Sequence, residues 1–140
     1  MKGVSNLAIQ WNSSLTTGVA EIDNQHQGLI KGINNLLDAM REGNGKETIE
    51  KVISFLDEYV VIHFGTEEKY MAQYNYPEFS SHKEQHQSFI ICFNNLKKEL
   101  ESVGPTSALV IQTQRKLSEW WENHILLIDK ELGGYLKSKF

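Results

Sequence analysis

The sequence predicts an all-α fold, an antiparallel up-down-up-down four-helix bundle with an N-terminal arm. Three observations carry that prediction. Apolar residues recur at alternating steps of three and four through four separate segments. The breaks between segments are short and contain glycines and both prolines, Pro77 and Pro105. A chain of 140 residues is long enough to bury one core without disulfide or metal staples.

Residues 1–140 read as a single domain, with an arm over 1–17 and helices over about 18–41, 47–73, 81–102 and 106–132. Trp11 in the arm is expected to lie over the bundle. The first segment carries Ile22, His26, Leu29, Ile33, Leu36 and Met40, and "REGNGKE" ends it with two glycines. The second carries Ile53, Leu56, Val60, His63, Glu67 and Tyr70, and "YNYPEFSS" ends it at Pro77. The third carries His82, His86, Phe89, Phe93, Leu96 and Leu100. Ser80 or Ser81 is its expected N-cap, with Ser81 and Glu84 spaced as a capping box. "SVGPTS" closes it. The fourth carries Val110, Leu117, Trp120, His124 and Leu127, and Gly133 and Gly134 are expected to end it. Short connections make neighbouring helices antiparallel.

Composition narrows the function. The formal net charge is −4 and no basic cluster stands out, so nucleic acid and an anionic membrane are not expected partners. The lone cysteine, Cys92, allows no internal disulfide and fits a reducing compartment. The first residues are too polar for a signal peptide, and no apolar run approaches the roughly 20 residues of a membrane span. The expectation is a soluble, cytoplasmic protein.

All five histidines fall on the inward seams of these helices. A lone seam histidine is ordinarily a core residue bonded to a carbonyl or a tyrosine. Five imidazoles facing one interior are different, because burying that many ring nitrogens without partners costs several kcal/mol. A metal satisfies one nitrogen per ring and leaves the other for a carbonyl or carboxylate. His26 lies early in the first helix, His63 late in the second, His82 and His86 early in the third, and His124 late in the fourth. Antiparallel packing brings all of them to one end of the bundle.

Glu67 stands one turn from His63 on the same face. The neighbouring Glu68 reads as a solvated helix glutamate. A second carboxylate is less clear. Asp129 lies five residues after His124, about 140° around an ideal helix, and Asp23 and Glu122 compete by position. Five imidazoles and two carboxylates are too many donors for one ion. They suit two octahedral ions with both carboxylates and a hydroxide or oxide bridging. A three-and-two division of imidazoles then makes one ion six-coordinate and leaves the other five-coordinate, with an open position for a small diatomic ligand. Phe64, Phe89, Trp120, Trp121 and Ile125 flank these residues and read as ordinary core, the alternative being that some of them line a dry pocket that slows autoxidation.

"GVAEIDNQHQGLI", "HFGTEEKYM", "YPEFSSHKEQHQSF" and "WWENHILLIDK" together resemble the hemerythrin family, the bacterial single-domain hemerythrins in particular. The family pattern is a lone histidine, then H-x-x-x-E, H-x-x-x-H and H-x-x-x-x-D, and the chain fills every position. The resemblance selects Asp129 over Asp23. It implies a non-haem di-iron cofactor, two iron ions per chain bridged by Glu67, Asp129 and an oxo or hydroxo group. His82, His86 and His124 would bind the six-coordinate iron, and His26 and His63 the five-coordinate one. Molecular oxygen would bind reversibly at the open iron, for carriage, storage or delivery, with no catalytic residue. A protein that receives the oxygen is not indicated. Alternatives are a di-iron oxidase or peroxidase, or an oxygen or iron sensor acting through a partner. Carboxylate-rich di-iron oxidases repeat E-x-x-H on two helices, a motif this chain lacks.

Overall fold

The computed structural model describes residues 8–140, so residues 1–7 of the expected arm lie outside the described part. Four helical columns form the bundle. Helix α1 spans Ala20–Arg41, α2 spans Gly45–Gln73 and α3 spans Phe79–Val103. The fourth column is composite: α4 over Ser107–Asn123, a π-helical turn over His124–Asp129, and α5 over Lys130–Lys137.

The arm enters through a short 3-10 turn, Ser13–Leu15. Asn34 on α1 clamps it from both sides, accepting from the Ile9 amide at 3.1 Å and donating to the Ile9 carbonyl at 2.9 Å. Ile9 and Leu15 are buried, and Trp11 packs partly buried against the core. Asp23 fixes the start of α1 by accepting from the Thr17 amide and hydroxyl, each at 2.8 Å, and from the Gly18 amide at 3.2 Å.

Two helix ends differ from the sequence expectation. Helix α3 begins at Phe79 with Glu78 as its cap, and no side chain caps it. Ser81 is already inside the first turn, where its hydroxyl donates back to the Glu78 carbonyl at 3.1 Å. At the other end of the chain, Gly133 and Gly134 do not stop the helix, which continues to Lys137. Gly133 serves close packing instead: a Cβ there would overlap the carbonyl oxygen of Thr17. The Thr106 hydroxyl caps α4, accepting from the Leu109 amide at 3.2 Å.

The core divides along the bundle axis. A large apolar cluster, including Leu29, Ile33, Leu36, Leu56, Phe89, Phe93, Leu117 and Trp121, fills most of the length. A small one closes the other end, with Val19, Ile22, Met71, Tyr76, Leu132 and Leu136. Between them the apolar sequence is interrupted. No helix among the described residues is long and apolar enough to cross a membrane.

Candidate metal centre

Seven polar side chains fill that interruption: His26 from α1, His63 and Glu67 from α2, His82 and His86 from α3, and His124 and Asp129 from the π-helical turn. Each is at most 3 % exposed. The i,i+4 pairs on α2 and α3 put two donors per helix on one face. The fourth column needs a different device, because donors five residues apart diverge on an α-helix. Here an i→i+5 turn replaces the α-helical one, with the Lys130 amide donating to the Ile125 carbonyl. That widening swings Asp129 onto the face of His124, and Asp129 Oδ1 stands 3.0 Å from His124 Nε2.

The two carboxylates sort their oxygens. Glu67 Oε2 faces His26 Nε2 at 3.6 Å and His63 Nε2 at 3.4 Å. Its other oxygen, Oε1, faces His82 Nε2 at 3.4 Å and His86 Nε2 at 3.0 Å. Asp129 Oδ2 faces His26 Nε2 at 2.7 Å, while Oδ1 faces His82 and His124, each at 3.0 Å. The donors thus fall into two overlapping groups. Glu67, His82, His86, His124 and Asp129 form one, and His26, His63, Glu67 and Asp129 form the other. Both carboxylates belong to both groups.

Several of these atoms approach one another without hydrogen bonding. Nε2 of His26, His63, His82 and His124, Oε2 of Glu67 and both Asp129 oxygens have no hydrogen-bond partner among the described residues. His86 Nε2 does meet Glu67 Oε1 as a hydrogen bond at 3.0 Å, whereas these other atoms crowd around shared points at 2.7 to 3.6 Å from one another. Donors about 2.1 Å from an octahedral ion and at right angles stand about 3 Å apart, which is the spacing found here. The residues present therefore fit a pair of cations.

Electrostatics gives the same reading. Burial opposes charge on His26 and His82, yet the carboxylates Asp129 and Glu67 more than offset it and lift each imidazole to about 9. Burial also opposes ionisation of Glu67. The field of His63 and close contacts with His26, His63 and His82 nevertheless hold it well below the usual carboxylate range. Asp129 is held down likewise, against burial and the Glu67 charge, by His124 and His26. Without metal, protons on imidazole neutralise the carboxylates. The cluster demands positive charge at its centre.

Outer contacts orient the rings. His63 Nδ1 meets Gln25 Oε1 at 2.7 Å, and Gln25 Nε2 donates to Thr66 Oγ1 at 3.0 Å. His86 Nδ1 meets Glu68 Oε2 at 3.0 Å. Glu68 is therefore no solvated surface glutamate: its side chain is 29 % exposed and it props a buried imidazole. Gln25 and Glu68 escaped the sequence reading because each is the chain neighbour of a seam residue rather than on the seam itself. A usable signal was present, since a polar residue beside the seam can reach a ring on the adjacent helix. Phe64 stacks on His86 at 3.8 Å and Trp120 on His124 at 4.4 Å. Of the rival acids, Asp23 is committed to the arm and Glu122 is exposed.

A four-helix bundle whose buried histidines and carboxylates divide into two sets of donors is a metalloprotein positioned for a pair of ions. Residues 17–136 match the Hemerythrin HHE cation binding domain, and the chain belongs to the hemerythrin family. It is 34 % identical over 123 residues to the bacteriohemerythrin of Methylococcus capsulatus, covering 87 % of this chain and 91 % of that protein. It is 30 % identical over 127 residues to the myohemerythrin of Theromyzon tessulatum, covering 91 % and 92 %. A solved crystal structure of a single-site mutant superposes with a TM-score of 0.79 at 30 % identity, over 91 % of this chain and 96 % of that one. The cofactor of the family is a di-iron centre, and the cluster is placed to hold it.

Proposed function

We propose that this chain binds molecular oxygen reversibly at a di-iron centre and serves as an oxygen carrier, store or delivery protein. The observation that supports this most directly is the unequal division of donors, five residues in one group and four in the other, with Glu67 and Asp129 common to both. In this reading His82, His86 and His124 would hold one iron and His26 and His63 the other, with Glu67 and Asp129 available to both. The second group would supply one donor fewer than the first, which would leave its iron a position for a further ligand. When bound, the iron pair supplies the redox capacity and the vacant position that a diatomic ligand needs.

The residues of the chain do the rest. Five neutral imidazoles donate through Nε2 and add no negative charge. With Glu67 and Asp129 as the only anionic side chains in the set, a ferrous pair would keep a net positive charge of about +1 once a hydroxide is bound, which would disfavour high-valent iron chemistry. Gln25 and Glu68 hold His63 and His86 in the tautomer whose Nε2 lone pair points inward. Phe64, Trp121 and Ile125 are buried around the cluster and exclude water from it, which slows loss of a ligand that could leave oxidised iron behind.

The test is a cycle. The purified protein should hold two irons per chain. Reduced, then exposed to oxygen, then returned to an oxygen-free atmosphere, it should gain and lose a visible charge-transfer band without net oxygen consumption. Steady oxygen consumption with a reductant would instead make it an oxidase.

A further inference from the structure

A cleft of about 110 Å³ opens between the start of α3 and the end of the fourth column. Glu78, Ser81, Gln85 and Glu131, all exposed, line its mouth beside half-buried Ile128, and Tyr76 and His82, both buried, form its inner wall. Ser81 steadies Glu78, donating to its Oε2 at 3.3 Å, and the Tyr76 hydroxyl donates to Glu131 Oε1 at 3.4 Å. Of the seven cluster side chains, His82 alone lines this cleft among the described residues. His82 is 2 % exposed, its Nε2 faces Asp129 at 3.0 Å, and its Nδ1 has no hydrogen-bond partner among the described residues.

The cleft is electrostatically one-sided. The charged side chains at its mouth, Glu78 and Glu131, are both acidic. The same carboxylates attract cations. Phe64, Phe89 and Trp121, buried beside the cluster, offer no oxygen donor to a hydrated ion, and Glu68, the carboxylate that reaches His86, is already engaged with its Nδ1 at 3.0 Å. Along the axis, the small apolar cluster closes the other end.

We propose that this cleft is the loading site of the centre, where Glu78 and Glu131 capture hydrated ferrous ions and pass them to His82, the first buried donor they meet. The order of donors suits the ion. Carboxylate, hydroxyl and amide oxygens hold a divalent cation that still carries water, and imidazole takes it as water is lost. The role is kinetic: Glu78 and Glu131 belong to neither group of convergent donors and are not final ligands. This inference rests on the ligand assignment made above, and its test separates the two.

Metal-free protein is mixed anaerobically with ferrous ion at low ionic strength and uptake is followed by stopped flow, with folding checked by circular dichroism. Glu78→Gln/Glu131→Gln should slow uptake about tenfold or more, as expected when a focused field is removed from a binding path. The final content should remain two irons per chain with an unchanged spectrum. Glu99→Gln/Glu101→Gln, which removes the same charge from the exposed distal part of α3, should leave the rate unaltered. A second variant works on the loaded protein: Ser81→Trp should obstruct the cleft and slow release of iron to excess chelator. Unchanged uptake and release, or equal slowing by the distal pair, would overturn the loading site while leaving the centre intact. A wild-type protein that never takes up two irons would instead sink the ligand assignment itself.

Discussion

The two halves of the histidine cluster are built differently. On the three-histidine side, Phe64 and Trp120 lie face-on against His86 and His124, and a carboxylate, Glu68, props His86. On the two-histidine side, Trp121 lies tilted against His63 and the prop is the neutral amide of Gln25, although His26–His63 and His82–His86 alike meet edge to face at 4.6 Å. One group brings together five donor residues and the other four, with Glu67 and Asp129 in both. A symmetric cluster would place two equivalent ions. This one offers unequal donor sets, three imidazoles on one side and two on the other, and under the proposed function that inequality would separate a filled metal position from an open one.

The largest effect should come from what the halves share. Glu67 gives one oxygen to each, so Glu67→Gln should lower iron from two per chain toward none, read by atomic emission. Retention of both irons would break the bridging assignment. Next comes damage to one half only. His82→Ala removes a donor from the five-residue group and should drop iron toward about one per chain, since each ligand set binds as a unit. His63→Ala tests the four-residue group in the same way. If either variant keeps full occupancy and an unchanged spectrum, the division into halves is wrong.

How far this asymmetry can be read from the sequence depends on the residue. Seam spacing placed His26, His63, Glu67, His82, His86 and His124 on four inward faces, and antiparallel order brought them to one level, because helical periodicity encodes both facts. Asp129 was beyond that logic. Its spacing from His124 is wrong for an α-helix and suits a π-helical turn, which periodicity counted at 3.6 residues per turn does not contain. Only the family pattern selected it. Gln25 and Glu68 were missed for another reason: their function is set by reach across to a neighbouring helix, not by position on their own. Gly133 was misread because glycine after an apolar run signals a helix end, whereas here it admits the Thr17 backbone.

The props offer a gentler way to sharpen the comparison. Glu68→Gln should keep the fold but weaken iron binding about tenfold or more in the three-histidine half, the usual cost of losing an outer partner. Gln25→Leu should weaken the two-histidine half by a similar factor. Competition with a chelator measures both. A larger loss for Glu68→Gln would show that the carboxylate contributes charge as well as orientation.

The smallest effect concerns protons. The shared carboxylates lift His26 on the two-histidine side and His82 on the three-histidine side, both to about 9 from an ordinary 6.5. A raised value in the folded state means that protonation stabilises the metal-free protein. That contribution is fully present below 6.5 and is lost as pH rises through about 9. The Tm of metal-free protein, followed by calorimetry, should fall across that window. Iron-loaded protein should show no such fall, because the metal has taken the place of the protons. His26→Asn and His82→Asn should each remove part of the pH dependence. If one variant removes all of it, the charge demand of the cluster resides in a single half. A flat profile in the metal-free protein would mean that the carboxylates are neutralised by something other than these two rings.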